Sequence, residues 1–171
     1  LRAKVDIEVQ DQAFVSVFWQ SDSSFQPGWR DKRFGKEASV FRAYGITSDG
    51  AEALYAQLRI ENGVAEGGFD YAFSDVFPHD VNLDQTGGVS FAKGCYVGQE
   101  VVSRMQHRGT ARRRVLIAAG DSALEAGASI TTGGRAIGAL GSALESRALA
   151  LVRIDKVKAA MDSGVEILAG D

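Results

Sequence analysis

The stretch "ASITTGGRAIGALGSAL", residues 128–144, decides how the C-terminal part of the chain folds. Short runs of small and branched apolar residues flank Gly133 and Gly134, and consecutive glycines suit a tight hairpin turn because they tolerate a positive φ. Comparable short runs, separated by Gly and Ser, lie at residues 113–120, 147–154 and 165–170. This pattern is typical of a small antiparallel barrel.

The first 44 residues predict three strands. Residues 4–9 alternate polar and apolar side chains, which indicates a half-buried strand. Residues 13–19 and 38–44 are rich in aromatic and branched residues, which favours two more. A turn at residues 9–12 would join the first two strands into a hairpin.

Two helices are predicted between these strands and the barrel. Apolar residues three and four apart predict one over residues 50–61, and residues 98–109 predict a second, shorter one. Residues 64–92 between them show no sustained period, and such a long irregular stretch in a compact domain is often functional. The sequence therefore predicts an α+β domain at residues 1–110 and a small antiparallel β-barrel at residues 111–171.

The composition limits the classes of function. The chain has 171 residues, 45% of them hydrophobic, which is enough to bury a core. Its 19 Lys and Arg against 22 Asp and Glu give a formal net charge of -3, so a contact with nucleic acid or anionic lipid would have to be local. No apolar run approaches the roughly 20 residues of a membrane span. A single cysteine cannot form an internal disulfide, which fits a reducing compartment such as the cytoplasm or an organelle matrix.

That cysteine lies in the stretch "KGCYVGQE", residues 93–100. Cys95 could be a small buried hydrophobe, as free cysteines often are. Alternatively, Lys93 and the helix that starts near Gly98 would both stabilise a thiolate and make Cys95 functional. One cysteine and two histidines fall short of a complete metal site, so no resident metal is predicted. Cys95 could supply one ligand.

Two further groups of charged residues could bind a ligand. Arg59 and Glu61 lie at the end of the first predicted helix, either on a solvated face or with Glu61 turned inward. An inward carboxylate could accept two parallel hydrogen bonds from a flat edge such as that of guanine or a pterin. The second group is a run of five arginines: Arg104, Arg108, Arg112, Arg113 and Arg114. These arginines either form a solvent-exposed face or bind a polyanion, such as a glutamate tail or an RNA backbone.

The octet at residues 93–100 resembles the K-G-C-[FY]-x-G-Q-E signature of the YgfZ-type folate-binding proteins. These proteins are relatives of the glycine-cleavage T-protein, an aminomethyltransferase, and of mitochondrial iron-sulfur assembly factors of the same type. The segments "RIENGV", "FPHDVNLD" and the Gly-rich tail are also family-like and stand in the family's order, so the resemblance covers essentially the whole chain. T-proteins lack the cysteine octet, which favours the YgfZ type.

The resemblance implies a T-protein-like folate-binding body followed by a small barrel, with a substantial N-terminal portion before Leu1. It implies tetrahydrofolate or a one-carbon derivative as cofactor, and iron-sulfur client or assembly proteins as partners. It also implies an indirect influence on tRNA modification, without direct RNA contact. The location would be the bacterial cytoplasm, or the mitochondrial matrix in a eukaryote.

The resemblance also assigns the site residues. Lys93 and Cys95 occupy the positions held functionally important, and Glu61 matches the carboxylate that recognises the pterin ring in T-protein relatives. The expected folate contacts are Glu61, Arg59, Tyr96, Gly98, Gln99, Glu100 and Arg108. Two other functions stay open at this point: an aminomethyltransferase-like one-carbon transferase, whose catalytic aspartate would precede Leu1, and an RNA-binding module.

Overall fold

The structure is a computed structural model that describes residues 15–19, 28–35, 37–47, 50–109 and 111–170. The chain divides into two compact units. The first comprises Leu1–Asp31 and Lys36–Gly50, and the second comprises Lys32–Gly35 and Ala51–Asp171. None of the helices in the described part of the chain has the length and apolarity that a membrane span requires.

The first unit contains an antiparallel sheet of three strands. These are β1 (Val15–Trp19), β2 (Trp29–Arg30) and β3 (Val40–Tyr44), in the order β1-β3-β2. The central strand β3 buries Val40 and Ala43. The strands predicted at residues 13–19 and 38–44 are confirmed as β1 and β3, whereas the strand and hairpin predicted from residues 4–9 lie outside the described residues.

The second unit is built on a five-stranded sheet. Its strands are β4 (Arg113–Ala119), β5 (Ser129–Thr132), β6 (Arg135–Leu144), β7 (Arg147–Arg153) and β8 (Ile167–Ala169). The order is β4-β7-β6-β5-β8 and every pair is antiparallel. The hairpin predicted at Gly133 and Gly134 joins β5 to β6, with both glycines at positive φ. The predicted strands are thus confirmed, and the α+β class holds for the described residues.

Three helices accompany this sheet: α1 (Glu52–Asn62), α2 (Gln99–Arg108) and α3 (Ile154–Ser163). The first two confirm the predicted helices, and each ends at a left-handed glycine. The sequence analysis missed α3 because its short apolar periodicity lies between two strong strand patterns. Residues 64–92 contain neither a helix nor a strand, as predicted.

Strand β7 contributes buried side chains to a core on each of its two faces. Successive side chains along a strand point to opposite faces. Ala148, Ala150 and Val152 join a core on one face, and the partly buried Val157 of α3 packs against it. Leu149 joins a second core on the other face. The other buried members of that second core are Ile60 from α1, Val81 from the irregular segment and Val115 from β4.

The α1 helix and the irregular segment therefore pack against the sheet within one compact unit. The division between the two compact units falls near residue 50, inside the domain predicted at residues 1–110, and the boundary near Thr110 stays a prediction. A change in local sequence pattern marks where strands begin, whereas compact units follow contacts between distant residues.

A buried ion pair joins α1, the irregular segment and β6. Arg59 and Asp70 are 3% and 8% exposed, and Arg59 Nη1 donates to Asp70 Oδ2 at 2.6 Å. The Asp70 carboxylate also accepts the backbone N–H groups of Glu66 and Ser142, each at 2.7 Å. A Cβ atom on Gly141 would lie 2.6 Å from Asp70 Oδ1, so β6 needs a glycine there to let Asp70 approach.

We expect Gly141→Ala to lower the free energy of unfolding by about 2–4 kcal/mol, because the methyl group would push Asp70 out of reach of its buried partners. Urea unfolding measures this. Gly35→Ala is the matched control, since its added Cβ would meet nothing within 4 Å and its φ is not positive. Equal losses of stability in the two variants would contradict the prediction.

Candidate functional site

The loop that carries the cysteine, residues 93–98, is called the signature loop below and leads directly into α2. Cys95 is an exposed free thiol, so the alternative that it is a buried hydrophobe is wrong. The Lys93 Nζ atom lies 4.7 Å from the centroid of the Tyr96 ring, a distance at which a cation and an aromatic face attract. The positively charged ammonium group of Lys93 therefore lies over Tyr96, the residue that follows Cys95.

The start of α2 shapes this loop. Gly98 is the N-cap residue and has φ 85, a left-handed conformation that favours glycine. The backbone N–H of Gln99 donates to the Tyr96 carbonyl at 3.2 Å, which closes the turn after Cys95. The N-terminal end of α2, with its partial positive charge, therefore lies close to Cys95 in sequence and adds to the charge of Lys93.

A cleft of about 420 Å³ adjoins the signature loop. Two predicted site residues, Tyr96 and Gln99, line it together with Ser90, Phe91, Ser103, Gln106 and His107. Of the other predicted residues, Gly98 is half-buried, while Glu100 and Arg108 are exposed on α2. The structure therefore brings Tyr96 and Gln99 together in one cleft.

His79, which the sequence analysis did not assign to the site, packs against two residues that line this cleft. It is 1% exposed, its Nε2 lies 3.3 Å from Gln106 Oε1, and its ring centroid lies 6.2 Å from that of Phe91. The sequence signal that points to His79 is its segment "FPHDVNLD", which resembles the YgfZ-type family. No local rule connects His79 to Gln106, which lies on a different element.

The segment around His79 docks on β4 through two arginines. Arg114 donates to both carboxylate oxygens of Asp84, at 2.6 and 2.8 Å, and to the His79 carbonyl at 2.7 Å. Arg113 donates to Asp80 Oδ2 at 3.1 Å. Arg113 and Arg114 are therefore engaged with carboxylates of the chain itself, which does not favour the hypothesis that they bind a polyanion.

The charge state of Asp84 follows from this pairing. Burial alone would raise its pKa, but the hydrogen bond and the positive charge of Arg114 outweigh burial and hold the pKa below its ordinary value of 3.8. Asp84 is therefore ionised at neutral pH and holds Arg114 in a two-point contact, which is stronger than a single hydrogen bond.

The structure places Arg59 and Glu61 in different surroundings, and their contact with a ligand stays a prediction. Arg59 is buried against Asp70, and it also donates to Ser142 Oγ at 2.9 Å, so its guanidinium holds the fold together. Glu61 is exposed and accepts a hydrogen bond from Gln57 Nε2 at 2.8 Å. The inward orientation predicted for Glu61 is therefore not observed, and its alternative as a solvated residue describes it.

The cleft beside Glu61 is small. Glu61 lines a cleft of about 210 Å³, whereas cofactor-sized ligands usually occupy about 300–1,000 Å³. Glu145 and Arg147 line the same cleft, and none of its lining residues belongs to the cleft beside the signature loop. Within the described residues, Glu61 thus lines a different cleft from Tyr96 and Gln99.

A resident metal site is also not formed by residues 15–19, 28–35, 37–47, 50–109 and 111–170. No group of three or more His, Cys, Asp and Glu side chains is placed there to hold an ion. Cys95 offers one exposed thiol from this part of the chain. A cluster bound at Cys95 would need further ligands from elsewhere.

The fold and the exposed cysteine can now be compared with known proteins. Residues 112–171, which include all five strands of the second unit, match the family described as CAF17, C-terminal beta-barrel domain. The match begins one residue after the predicted start of the barrel domain. The second unit thus contains a C-terminal β-barrel domain of the CAF17 type, built from antiparallel strands.

The chain is also similar to curated proteins named "Iron-sulfur cluster assembly factor IBA57 homolog, mitochondrial". The one from Mycosarcoma maydis is 36% identical over 132 residues, covering 68% of this chain and 32% of that protein. The one from Pyricularia oryzae is 33% identical over 139 residues, covering 68% and 34%. The one from Chaetomium globosum is 49% identical over 65 residues, covering 38% and 15%.

The matched part of the chain thus spans about a third or less of each of these relatives. The predicted resemblance to mitochondrial iron-sulfur assembly factors is confirmed. It is also refined, because these relatives carry the name IBA57 homolog, whereas the sequence analysis favoured the related YgfZ type.

We expect Asp84→Asn to lower the free energy of unfolding by about 2 kcal/mol at pH 7, because Arg114 would lose a charged acceptor. A lowered pKa contributes stability that is complete above the unfolded value and is lost as the pH falls through the folded value. The difference from the wild type should therefore shrink below pH 3.8. Urea unfolding across pH measures it.

Asp155→Asn provides the control, because Asp155 pairs with Arg153 in an exposed ion pair that contributes little. A stability difference for Asp84→Asn that stays constant down to pH 3 would show that its charge does not matter.

Proposed function

We propose that this protein is an accessory factor for the assembly or repair of iron-sulfur clusters, and that Cys95 is a transient cluster ligand. The exposure of Cys95 in the signature loop carries the proposal. Cysteine thiolates are the usual ligands of these clusters. The similarity to proteins named as iron-sulfur cluster assembly factors supports it.

The cluster would be cargo that passes through the protein. A cysteine sulfur binds iron, and Cys95 is exposed where a cluster could reach it. Most clusters need four protein ligands, so a single thiolate holds a cluster only when a partner supplies the others. Such shared ligation would let the cluster leave with the partner once the partner's thiolates replace Cys95.

The partners would therefore be iron-sulfur client or assembly proteins. An influence on tRNA modification would be indirect, through iron-sulfur enzymes that act on tRNA. The relatives' names state a mitochondrial location, which supports the matrix as the location in a eukaryotic source. A direct RNA-binding function is not favoured, because two of the clustered arginines are paired with aspartates.

We expect Cys95→Ser to reduce the activity of iron-sulfur enzymes nearly to the level of cells that lack the protein, because a hydroxyl is a poor iron ligand. The measurement is complementation by the full-length protein in such cells. The matched control is the double variant Cys95→Ser/Ser122→Cys, which moves the thiol to another exposed position. Full complementation by Cys95→Ser would refute the role of the thiol.

Folate binding stays a prediction of the resemblance. A cofactor role for tetrahydrofolate would require a larger pocket than the cleft beside Glu61. No aminomethyltransferase step is assigned to the described residues.

We expect Glu61→Gln to leave any affinity for tetrahydrofolate unchanged, because Glu61 is exposed and its cleft is small. Titration of the full-length protein with tetrahydrofolate measures this. Glu52→Gln, at an exposed position on the first turn of the same helix, is the control. Weaker binding in Glu61→Gln but not in Glu52→Gln would contradict this expectation and restore the predicted pterin contact.

A further inference from the structure

The outward side of α2 carries positive charge that is not paired. Arg104 and Arg108 are exposed on this helix, and these two residues are called the α2 outer face below. None of the ion pairs within residues 50–109 and 111–170 includes Arg104 or Arg108. The neighbouring Arg113 and Arg114, in contrast, are bound to aspartates.

The charge of this region remains positive when its acidic residue is included. Glu100 is exposed one turn before Arg104 and is the acidic residue of α2. The two arginines of the outer face exceed it, and Lys93 adds a further positive charge from the signature loop. Arg108 lies in the last turn of α2, where a positive charge complements the helix dipole. Arg104 lies before that turn, so the dipole does not account for it.

Two exposed valines lie between Cys95 and Arg104 in the sequence. Val97, in the signature loop, is fully exposed at 103%, and Val101, on the first turn of α2, is 38% exposed. Protein interfaces commonly combine an apolar centre with a polar rim. Cys95, Val97 and the α2 outer face together have that arrangement along one stretch of chain.

We propose that the signature loop and the α2 outer face form the docking surface for an acidic protein that shares a cluster with Cys95. This inference rests on the proposed function, because one thiolate cannot hold a cluster alone and the partner must bring its own thiolates to Cys95. Complementary charge would speed that encounter and orient the partner. The unpaired arginines select a partner with an acidic face.

An RNA partner fits these observations less well. The net charge of the chain is -3, so RNA would meet no general attraction. Proteins that bind single-stranded RNA stack bases on aromatic rings, and Lys93 lies over one face of the Tyr96 ring in the signature loop. The exposed valines also suit a protein surface better than a phosphate backbone.

The first test measures the electrostatic field at the thiol. Arg104 lies about 9 Å along the helix axis from Gly98, which is close to the Debye length of about 10 Å at 0.1 M salt. In full-length protein, Arg104→Glu/Arg108→Glu should lower the alkylation rate of Cys95 by anionic iodoacetate relative to neutral iodoacetamide by about fivefold at low salt. Mass spectrometry of the Cys95 peptide measures both rates.

The second test measures docking with a defined probe, an acidic [2Fe–2S] ferredoxin. The same double variant should weaken its binding by about tenfold or more at low salt, and Arg104→Gln/Arg108→Gln should give an intermediate loss. The matched control is Arg135→Glu/Lys156→Glu, which makes the same charge change at two exposed positions on the barrel hairpin and α3. The control should keep wild-type values in both tests.

The outcomes separate the alternatives. Unchanged alkylation and ferredoxin binding in the Arg104 and Arg108 variants, or equal losses in the control, would overturn the proposal. Binding of tRNA that these variants abolish, without ferredoxin binding by the wild type, would also overturn it and indicate an RNA surface. If Cys95→Ser complements fully while ferredoxin still depends on the arginines, the proposed function fails and the docking surface stands.

Discussion

The ion pair between Arg59 and Asp70 is the contact on which the second unit depends. It is almost completely buried, and breaking such a pair by removing one partner typically costs about 3–5 kcal/mol. The Asp70 carboxylate also accepts two backbone N–H groups in addition to the hydrogen bond from Arg59. Because these donors come from α1, the irregular segment and β6, one carboxylate fixes three elements, and Gly141 provides the space it needs.

A second set of contacts holds the rest of the irregular segment in place. The Asp80 carbonyl accepts the Val115 N–H at 2.8 Å, and Asn82 Nδ2 donates to the Val115 carbonyl at 2.8 Å. The segment thus finds hydrogen-bond partners for part of its backbone on the edge of β4, although it forms no strand itself. Its fixed position sets His79 against Gln106, and so connects the barrel sheet to the helix that follows Cys95.

The candidate site follows from what these contacts leave exposed. The fold uses Arg59, Arg113 and Arg114 to hold its own carboxylates. Cys95 and the α2 outer face remain at the surface. Chemistry that requires an accessible thiol and a partner of opposite charge is therefore located at the signature loop.

The sequence by itself determined the local elements: the strands of the barrel, the glycine hairpin, the two glycine-terminated helices and the signature loop. Each depends on side-chain periodicity or on the φ preference of glycine, which neighbouring residues set. Only the tertiary structure decided which charged residues are buried. Arg59 and Glu61 are two positions apart on one helix, yet Arg59 meets Asp70 and Glu61 faces solvent. Ion pairs join residues far apart in the chain, and a local pattern contains no information about such partners.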